Sequence, residues 1–185
     1  MIELRSWPKH AVPRETAAQI RSFIRIQWPF LNGQGGRIWD YGPRAGEPTT
    51  FALVDDEILV SHTEVNFREI EFEGQTLKVG GLSAVFTYPA FRGTGCAGRI
   101  VTAATEAIRA SDADLAMLFC GAPLEGFYTS CGWTPMKTAR VMYGERDHPK
   151  LKDDNVVMML FASERGKNLQ SILQREMIYV GASTW

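Results

Sequence analysis

One stretch restricts the folds open to this chain more than any other: Val85-Phe86-Thr87-Tyr88-Pro89-Ala90-Phe91-Arg92-Gly93-Thr94-Gly95-Cys96-Ala97-Gly98-Arg99. It reads as a β-strand ending near Thr87, a tight loop and then a helix. The loop carries Gly93, Gly95 and Gly98, with small Thr94, Cys96 and Ala97 among them. Glycine lets the backbone turn sharply and removes the Cβ that would hold a ligand away. Free N–H groups at a helix start, reinforced by the helix dipole, make an anion site. The loop is therefore expected to hold a phosphate or pyrophosphate. No Lys-Ser or Lys-Thr follows the glycines, so it is not the nucleotide P-loop. The spacing fits G-x-G-x-x-G, but a dinucleotide fold also needs an acid at the end of the next strand. That strand, Leu115 to Phe119, runs into Cys120. A glycine turn that only caps a helix stays open on these grounds.

The surroundings of the loop suit a single domain. The chain has 185 residues, 45% of them apolar and 22% charged. A domain of that size buries about 70% of its unfolded surface. The net charge of -1 gives no electrostatic case for nucleic acid. Three cysteines, Cys96, Cys120 and Cys131, make no disulfide framework, and none has zinc-site spacing, so no metal is expected. Met1 to His10 lacks a signal-peptide core, and no apolar run reaches membrane-spanning length. The expected location is the cytoplasm, with no membrane partner.

Periodicity gives the order of elements. Ile2 to Trp7 is a strand closed by Pro8. Pro13 to Trp28 is a helix with Pro13 at its first position and Ala17, Ile20, Phe23, Ile24 and Trp28 on one stripe. Phe30 to Pro48 is a glycine- and proline-rich loop holding Phe30, Trp39 and Tyr41, long enough to be functional. Thr49–Val54, Ile58–Phe67 and Leu77–Thr87 form an antiparallel meander turning at Asp55-Asp56-Glu57 and near Glu73-Gly74-Gln75. Gly80-Gly81 marks a bulge or a close backbone approach in the third of these strands. A helix from about Gly95 to Ser111 buries Ala97, Ile100, Val101, Ala104 and Ile108. Leu115–Cys120 is a strand buried on both faces. Pro123–Cys131 is a short helix ended by Gly132. Trp133–Tyr143 and Val156–Phe161 are strands around a polar loop, Gly144–Asn155. Leu169–Glu176 is a short helix before a tail ending at Trp185.

The segment Arg92-Gly93-Thr94-Gly95-Cys96-Ala97 resembles the Arg/Gln-x-x-Gly-x-Gly/Ala signature of the GCN5-related N-acetyltransferase (GNAT) superfamily. That resemblance implies an α+β fold. Its central, mostly antiparallel mixed sheet is flanked by helices and splayed at a slot for acetyl-coenzyme A between Leu77–Thr87 and Leu115–Cys120. It implies that Val85, Phe86 and Thr87 meet the pantetheine arm as an added strand would. Arg92, Gly93, Thr94, Gly95, Cys96, Ala97 and Gly98 would hold the pyrophosphate. Backbone N–H groups near Val85 would polarise the acetyl carbonyl. Phe127-Tyr128-Thr129-Ser130-Cys131-Gly132-Trp133 resembles the family's second block, which makes Tyr128 the acid that protonates the leaving thiolate. Cys120, in an apolar strand, is expected to be inert.

Ser61-His62-Thr63-Glu64-Val65 through Gly74, Leu77-Lys78 and Gly80 to Arg92-Gly93 is similar to the aminoglycoside 2′-N-acetyltransferases. That implies direct acetyl transfer to an antibiotic amine, resistance by modification, and a homodimer. A C-terminal tryptophan, here Trp185, would line the substrate site. Polycationic substrates need facing carboxylates, yet the glutamate expected as base falls at Ser83 and an aspartate near the tail falls at Ser183. Glu64 and Asp40 are the replacement acids, Trp39 stands beside Asp40, and His62 is a third candidate base. Another small-molecule or peptide amine is the alternative acceptor. A catalytically silent sensor of acetyl-coenzyme A is the reading outside enzymes.

Overall fold

A computed structural model of the protein describes residues 1–28, 47–153 and 155–185. The described residues divide into two compact units, Met1–Asn66 with Ser83–Ala104, and Phe67–Leu82 with Thr105–Trp185. The loop expected over Phe30–Pro48, with Trp39 and Asp40, lies almost wholly outside the described residues.

The first unit is built on β1 (Ile2–Pro8), β2 (Thr49–Asp55) and the first half of β3 (Ile58–Phe72). β1 pairs antiparallel with β2 from Ile2↔Asp55 to Pro8↔Thr49, and β2 pairs antiparallel with β3, with a shift between Leu53 and Val54. Helix α1 (Arg14–Gln27) buries Thr16, Ala17, Ile20 and Ile24, positions that recur at helical spacing. Ala17, Ile20 and Ile24 pack on Ala52, Val54 and Leu59. Pro13 stands one position before the helix, at its N-cap, rather than at its first residue. The end of β4 (Gln75–Thr87) and the start of α2 (Cys96–Arg109) complete this unit.

The second unit contains β5 (Leu115–Cys120), which lies parallel to β4 over Val79–Gly81 and antiparallel to β9 (Val156–Phe161) along its full length. Two-residue β6 (Thr134–Pro135) borders β9. A separate sheet joins β10 (Met177–Tyr179), β7 (Arg140–Tyr143) and β8 (Lys150–Leu151). Short helices α3 (Glu125–Ser130), α4 (Glu164–Asn168) and α5 (Gln170–Leu173) fill the connections. The core gathers Ile70, Phe72, Leu77, Val79, Leu115, Met117, Met159 and their apolar neighbours. No described helix is long and apolar enough to cross a membrane.

Most expected elements are present, and the departures have local causes. The turn joining β3 to β4 is two residues, Glu73 and Gly74, both at positive φ. That is the backbone hand a tight hairpin needs, so both strands run further than their apolar residues suggest. Trp133–Tyr143 is not one strand. Pro135 ends the first piece, a turn closes from Ala139 N–H to Met136 O, and pairing resumes at Arg140. The polar stretch Gly144–Asn155 contains β8, and the tail contributes β10, which lies parallel to β7. The helix expected over Leu169–Glu176 is the shorter α5, Gln170–Leu173, and a separate short helix, α4, precedes it. Ser163 caps α4 by accepting from Gly166 N–H at 3.0 Å.

Asp114 ties the second unit together. Its carbonyl accepts from the N–H groups of Ala162 and Ser163, and its carboxylate accepts from Lys78 N–H at 3.1 Å and from Arg165 at 3.4 Å. Gly166 sits so close that an added Cβ would fall inside the Asp114 carbonyl group. Gly166→Ala is therefore expected to destabilise the protein by about 1–3 kcal/mol, read as a lowered urea midpoint. An unchanged midpoint would show that α4 moves aside without cost.

Candidate functional site

The strand that leads into the glycine loop is held in an unusual way. Ala84 has φ +53, a left-handed conformation that costs a non-glycine residue about 1–3 kcal/mol. The carbonyls around it are taken by side chains of β3. Thr63 Oγ1 donates to Ser83 O at 2.9 Å, Ser61 Oγ to Phe86 O at 2.8 Å, and His62 Nδ1 bonds Ala84 O at 3.0 Å. At about 1 kcal/mol each, three such bonds offset the strain. Positive φ within β4 thus falls at Ala84, a position not singled out from the sequence. Gly80 and Gly81 show the close approach that was one of the two readings of that pair.

Beyond Thr87 the chain turns through Pro89–Phe91, and Phe23 packs on Phe86 and stacks on Tyr88. Gly93 and Gly95 have φ +80 and +83, as a sharp reversal requires. Gly95 O accepts from Arg99 N–H at 3.0 Å, so the helix begins there. The N–H groups of Cys96, Ala97 and Gly98 then precede the first intrahelical donor. The Cys96 side chain is buried, and its sulfur lies 3.3 Å from the Thr94 hydroxyl, which donates to Phe91 O at 2.6 Å. Arg92 Nε donates to Thr87 O at 3.2 Å. A Cβ built on Gly93, Gly95 or Gly98 would meet nothing within 4 Å. Gly98 is helical without positive φ, so neither its backbone nor its neighbours demand a glycine. These residues fit a phosphate-bearing ligand that approaches the main chain closely.

The first unit also buries a row of polar groups. His62, Glu64 and Asn66 alternate along one face of β3, each nearly inaccessible, and Thr50 is the cross-strand partner of Glu64. Lys9 Nζ lies 3.8 Å from Glu64 Oε1, and His62 Nε2 lies 3.9 Å from the same oxygen. Burial pushes the His62 pKa down, against the opposing pull of Glu64. Ser83 Oγ, at the place of the expected glutamate, is buried with no hydrogen-bond partner.

In the second unit, Tyr128 is buried on α3 with its ring edge-on to Phe127. Burial, then Cys120 and Cys131, raise its pKa, so the phenol keeps its proton throughout the physiological range. Cys120 is likewise raised, by burial and then Glu125, which keeps it a thiol and supports its inertness. Trp185 lies across Gly81, where any Cβ would fall inside the indole ring. Arg68 stacks on that ring at 4.2 Å and donates to Val180 O and Ser183 O, both at 2.6 Å. Phe119 flanks it at 6.5 Å. Trp185 Nε1 is buried without an acceptor.

The expected residues therefore sort by unit. Glu64, Ser83, Val85–Thr87 and Arg92–Gly98 belong to the first, Tyr128 and Trp185 to the second, and Trp39 and Asp40 lie outside the described residues. Sequence reasoning missed Lys9 and Arg68, because each acts through a partner distant in the chain. It also missed that the Gly81 approach is to Trp185.

A family model described as an acetyltransferase (GNAT) domain matches residues 16–136. No curated protein matches the sequence. Among solved structures the fold is similar to Escherichia coli ElaA, with TM-score 0.59, 19% identity, 86% of this chain and 99% of that one. It is also similar to the Escherichia coli GNAT family N-acetyltransferase YhbS in complex with CoA, with TM-score 0.60, 13% identity, and 96% and 88% covered. An aminoglycoside 6′-N-acetyltransferase complexed with coenzyme A has TM-score 0.60 at 11% identity, covering 87% of this chain and 98% of that one.

Gly98 offers a test that separates ligand binding from folding. Leucine is a better helix former than glycine by roughly 0.5–1 kcal/mol, and its side chain would enter open space. Gly98→Leu is expected to keep or raise the melting temperature while weakening calorimetric coenzyme A affinity at least about tenfold, or roughly 1.4 kcal/mol. Unchanged affinity would remove Gly98 from the site.

Proposed function

The chain belongs to the GNAT acetyltransferase family, and on that footing we propose that it acetylates a primary amine of an aminoglycoside-type compound, so that resistance by modification is its use. Acetyl-coenzyme A supplies the activated acetyl group. The observation that carries the reading is the loop Arg92–Gly98, with three glycines facing open space at the start of α2.

The roles follow from the chemistry of each group. The N–H groups of Cys96, Ala97 and Gly98 bind pyrophosphate, and the Arg92 guanidinium adds positive charge. β4 offers its main chain at Val85, Phe86 and Thr87 to the pantetheine amides. The amine must be neutral to attack the thioester, and the thiolate that departs needs a proton. Tyr128, held protonated by burial, is the donor. Acetylation removes a positive charge and hydrogen-bond donors from the amine, which weakens an antibiotic's hold on RNA phosphates.

Two features support a sugar-like acceptor. The run from Ser61 to Gly93 is similar to the aminoglycoside 2′-N-acetyltransferases. The buried, unsatisfied Trp185 N–H is a donor suited to a ligand hydroxyl or ring oxygen. Serines at positions 83 and 183 reduce the negative charge available, which favours a substrate with few amines.

Product mass after incubation with acetyl-coenzyme A and a panel of aminoglycosides, polyamines and a lysine peptide tests the substrate. One acetyl on an aminoglycoside is the expected result; acetylation confined to another amine overturns the sugar assignment, and cofactor binding without transfer favours a sensor. Tyr128→Phe is expected to lower kcat by about a hundredfold with coenzyme A affinity unchanged, and equal turnover would make Tyr128 a packing residue. Deleting Trp185 should raise the KM for the amine and leave coenzyme A affinity in place, as initial rates and calorimetry would show.

A further inference from the structure

We propose that His62 accepts the proton of the acceptor amine at Nε2, with the Glu64 carboxylate near that same nitrogen, and so performs the task expected of a glutamate at position 83. The proposal rests on the amine-transfer reading above and assigns the base of that same site.

The tautomer comes first. His62 Nδ1 is 3.0 Å from Ala84 O, and a carbonyl oxygen only accepts, so Nδ1 carries the hydrogen. In the neutral ring Nε2 is then a bare lone pair. That atom is buried and has no hydrogen-bond partner. A buried polar atom left unsatisfied calls for an account, and an N–H from a bound amine would satisfy it. Thr50 Oγ1 and Asn66 Oδ1, from the same polar row, are also buried without partners. Asn66 Oδ1 is an acceptor and the threonine hydroxyl can accept, so the row is matched to a donor-rich group.

The charges determine what His62 can do. The charged groups acting on it are Glu64 on its own strand and Lys9 beyond the end of β1. α1 buries only Thr16, Ala17, Ile20 and Ile24, none of which titrates. Glu64 Oε1 lies between Lys9 Nζ and His62 Nε2, 3.8 and 3.9 Å away. Burial keeps the ring neutral before substrate arrives. When a proton reaches Nε2, the Glu64 carboxylate stabilises the imidazolium and the Ala84 carbonyl holds the ring. Ala84 has φ +53, and its carbonyl, by accepting from Nδ1, fixes the tautomer of the base.

The step balances. An ammonium gives one proton to Nε2 and becomes an amine. Its nitrogen forms the C–N bond to the acetyl carbon, the C–S bond breaks, and the electron pair leaves on the coenzyme A sulfur. The second nitrogen proton leaves as the C–S bond breaks and passes through water to Tyr128, replacing the proton that Tyr128 gives the sulfur. His62 returns its proton to water.

The test uses the full chain and the amine identified by product mass. His62→Gln is expected to lower kcat about a hundredfold, with coenzyme A affinity unchanged by calorimetry. Wild-type kcat/KM should fall at acid pH as His62 protonates, and Glu64→Gln should move that limb to lower pH, because Glu64 raises the His62 pKa. Nitrogen-15 NMR of the free protein should show Nε2 as the unprotonated ring nitrogen. Full activity in His62→Gln, an unmoved acid limb in Glu64→Gln, or a proton on Nε2 overturns the assignment. If His62→Gln does not fold, the Glu64→Gln profile and the NMR tautomer decide. A wild-type protein that acetylates no amine defeats the transfer reading itself, a failure seen before any variant is made.

Discussion

The first unit depends on side chains of β3 holding the main chain of β4. The carbonyls of Ser83, Ala84 and Phe86 each receive a side-chain bond from β3, from Thr63, His62 and Ser61 at 2.9, 3.0 and 2.8 Å. The left-handed Ala84 becomes affordable only because of them, since each bond contributes about 1 kcal/mol against a strain of the same order. A buried hydroxyl or imidazole with a partner costs little, while one without costs more than it could return. Polar residues in the middle of β3 are therefore as structural as its valines and leucines, and they set the course of the strand entering the glycine loop.

The glycines divide by what excludes a side chain. At Gly93 and Gly95 it is backbone conformation. At Gly81 it is the indole of Trp185, and at Gly166 the carbonyl of Asp114. At Gly98 the protein excludes nothing, which is why that position speaks for a ligand. A sequence shows all of these as the same letter. The loop was legible because three glycines fall within six residues beside a strand and a helix. Gly81 was legible only as an oddity, because its partner is 104 residues away.

The same limit explains what else the sequence showed and hid. Elements with clear periodicity, such as α1, α2 and β5, follow from burial of one face or of both. Trp133–Tyr143 read as one strand, yet Pro135 lacks the N–H needed to continue pairing. Tyr128 and the loop are singled out by local motifs. Lys9, Arg68 and Asp114 act through partners brought near by folding, and no local pattern announces them. Trp39 and Asp40 stand outside the described residues, so their part in the site rests on the sequence.

Moving the base from β4 to β3 has a physical consequence. A carboxylate at position 83 would be both proton acceptor and counter-charge for a polycationic substrate. Ser83 is neither, and its hydroxyl is buried without a partner. With His62 as acceptor the two tasks separate. The imidazole is neutral until the reaction and attracts no cation, and the Glu64 charge is already faced by Lys9 at 3.8 Å. The polar row of the first unit would then offer a proton acceptor with little net negative charge. Such a row would hold an acceptor through hydrogen bonds more than through ion pairs. Its selectivity should then depend weakly on salt, because screening weakens exposed ion pairs far more than buried hydrogen bonds.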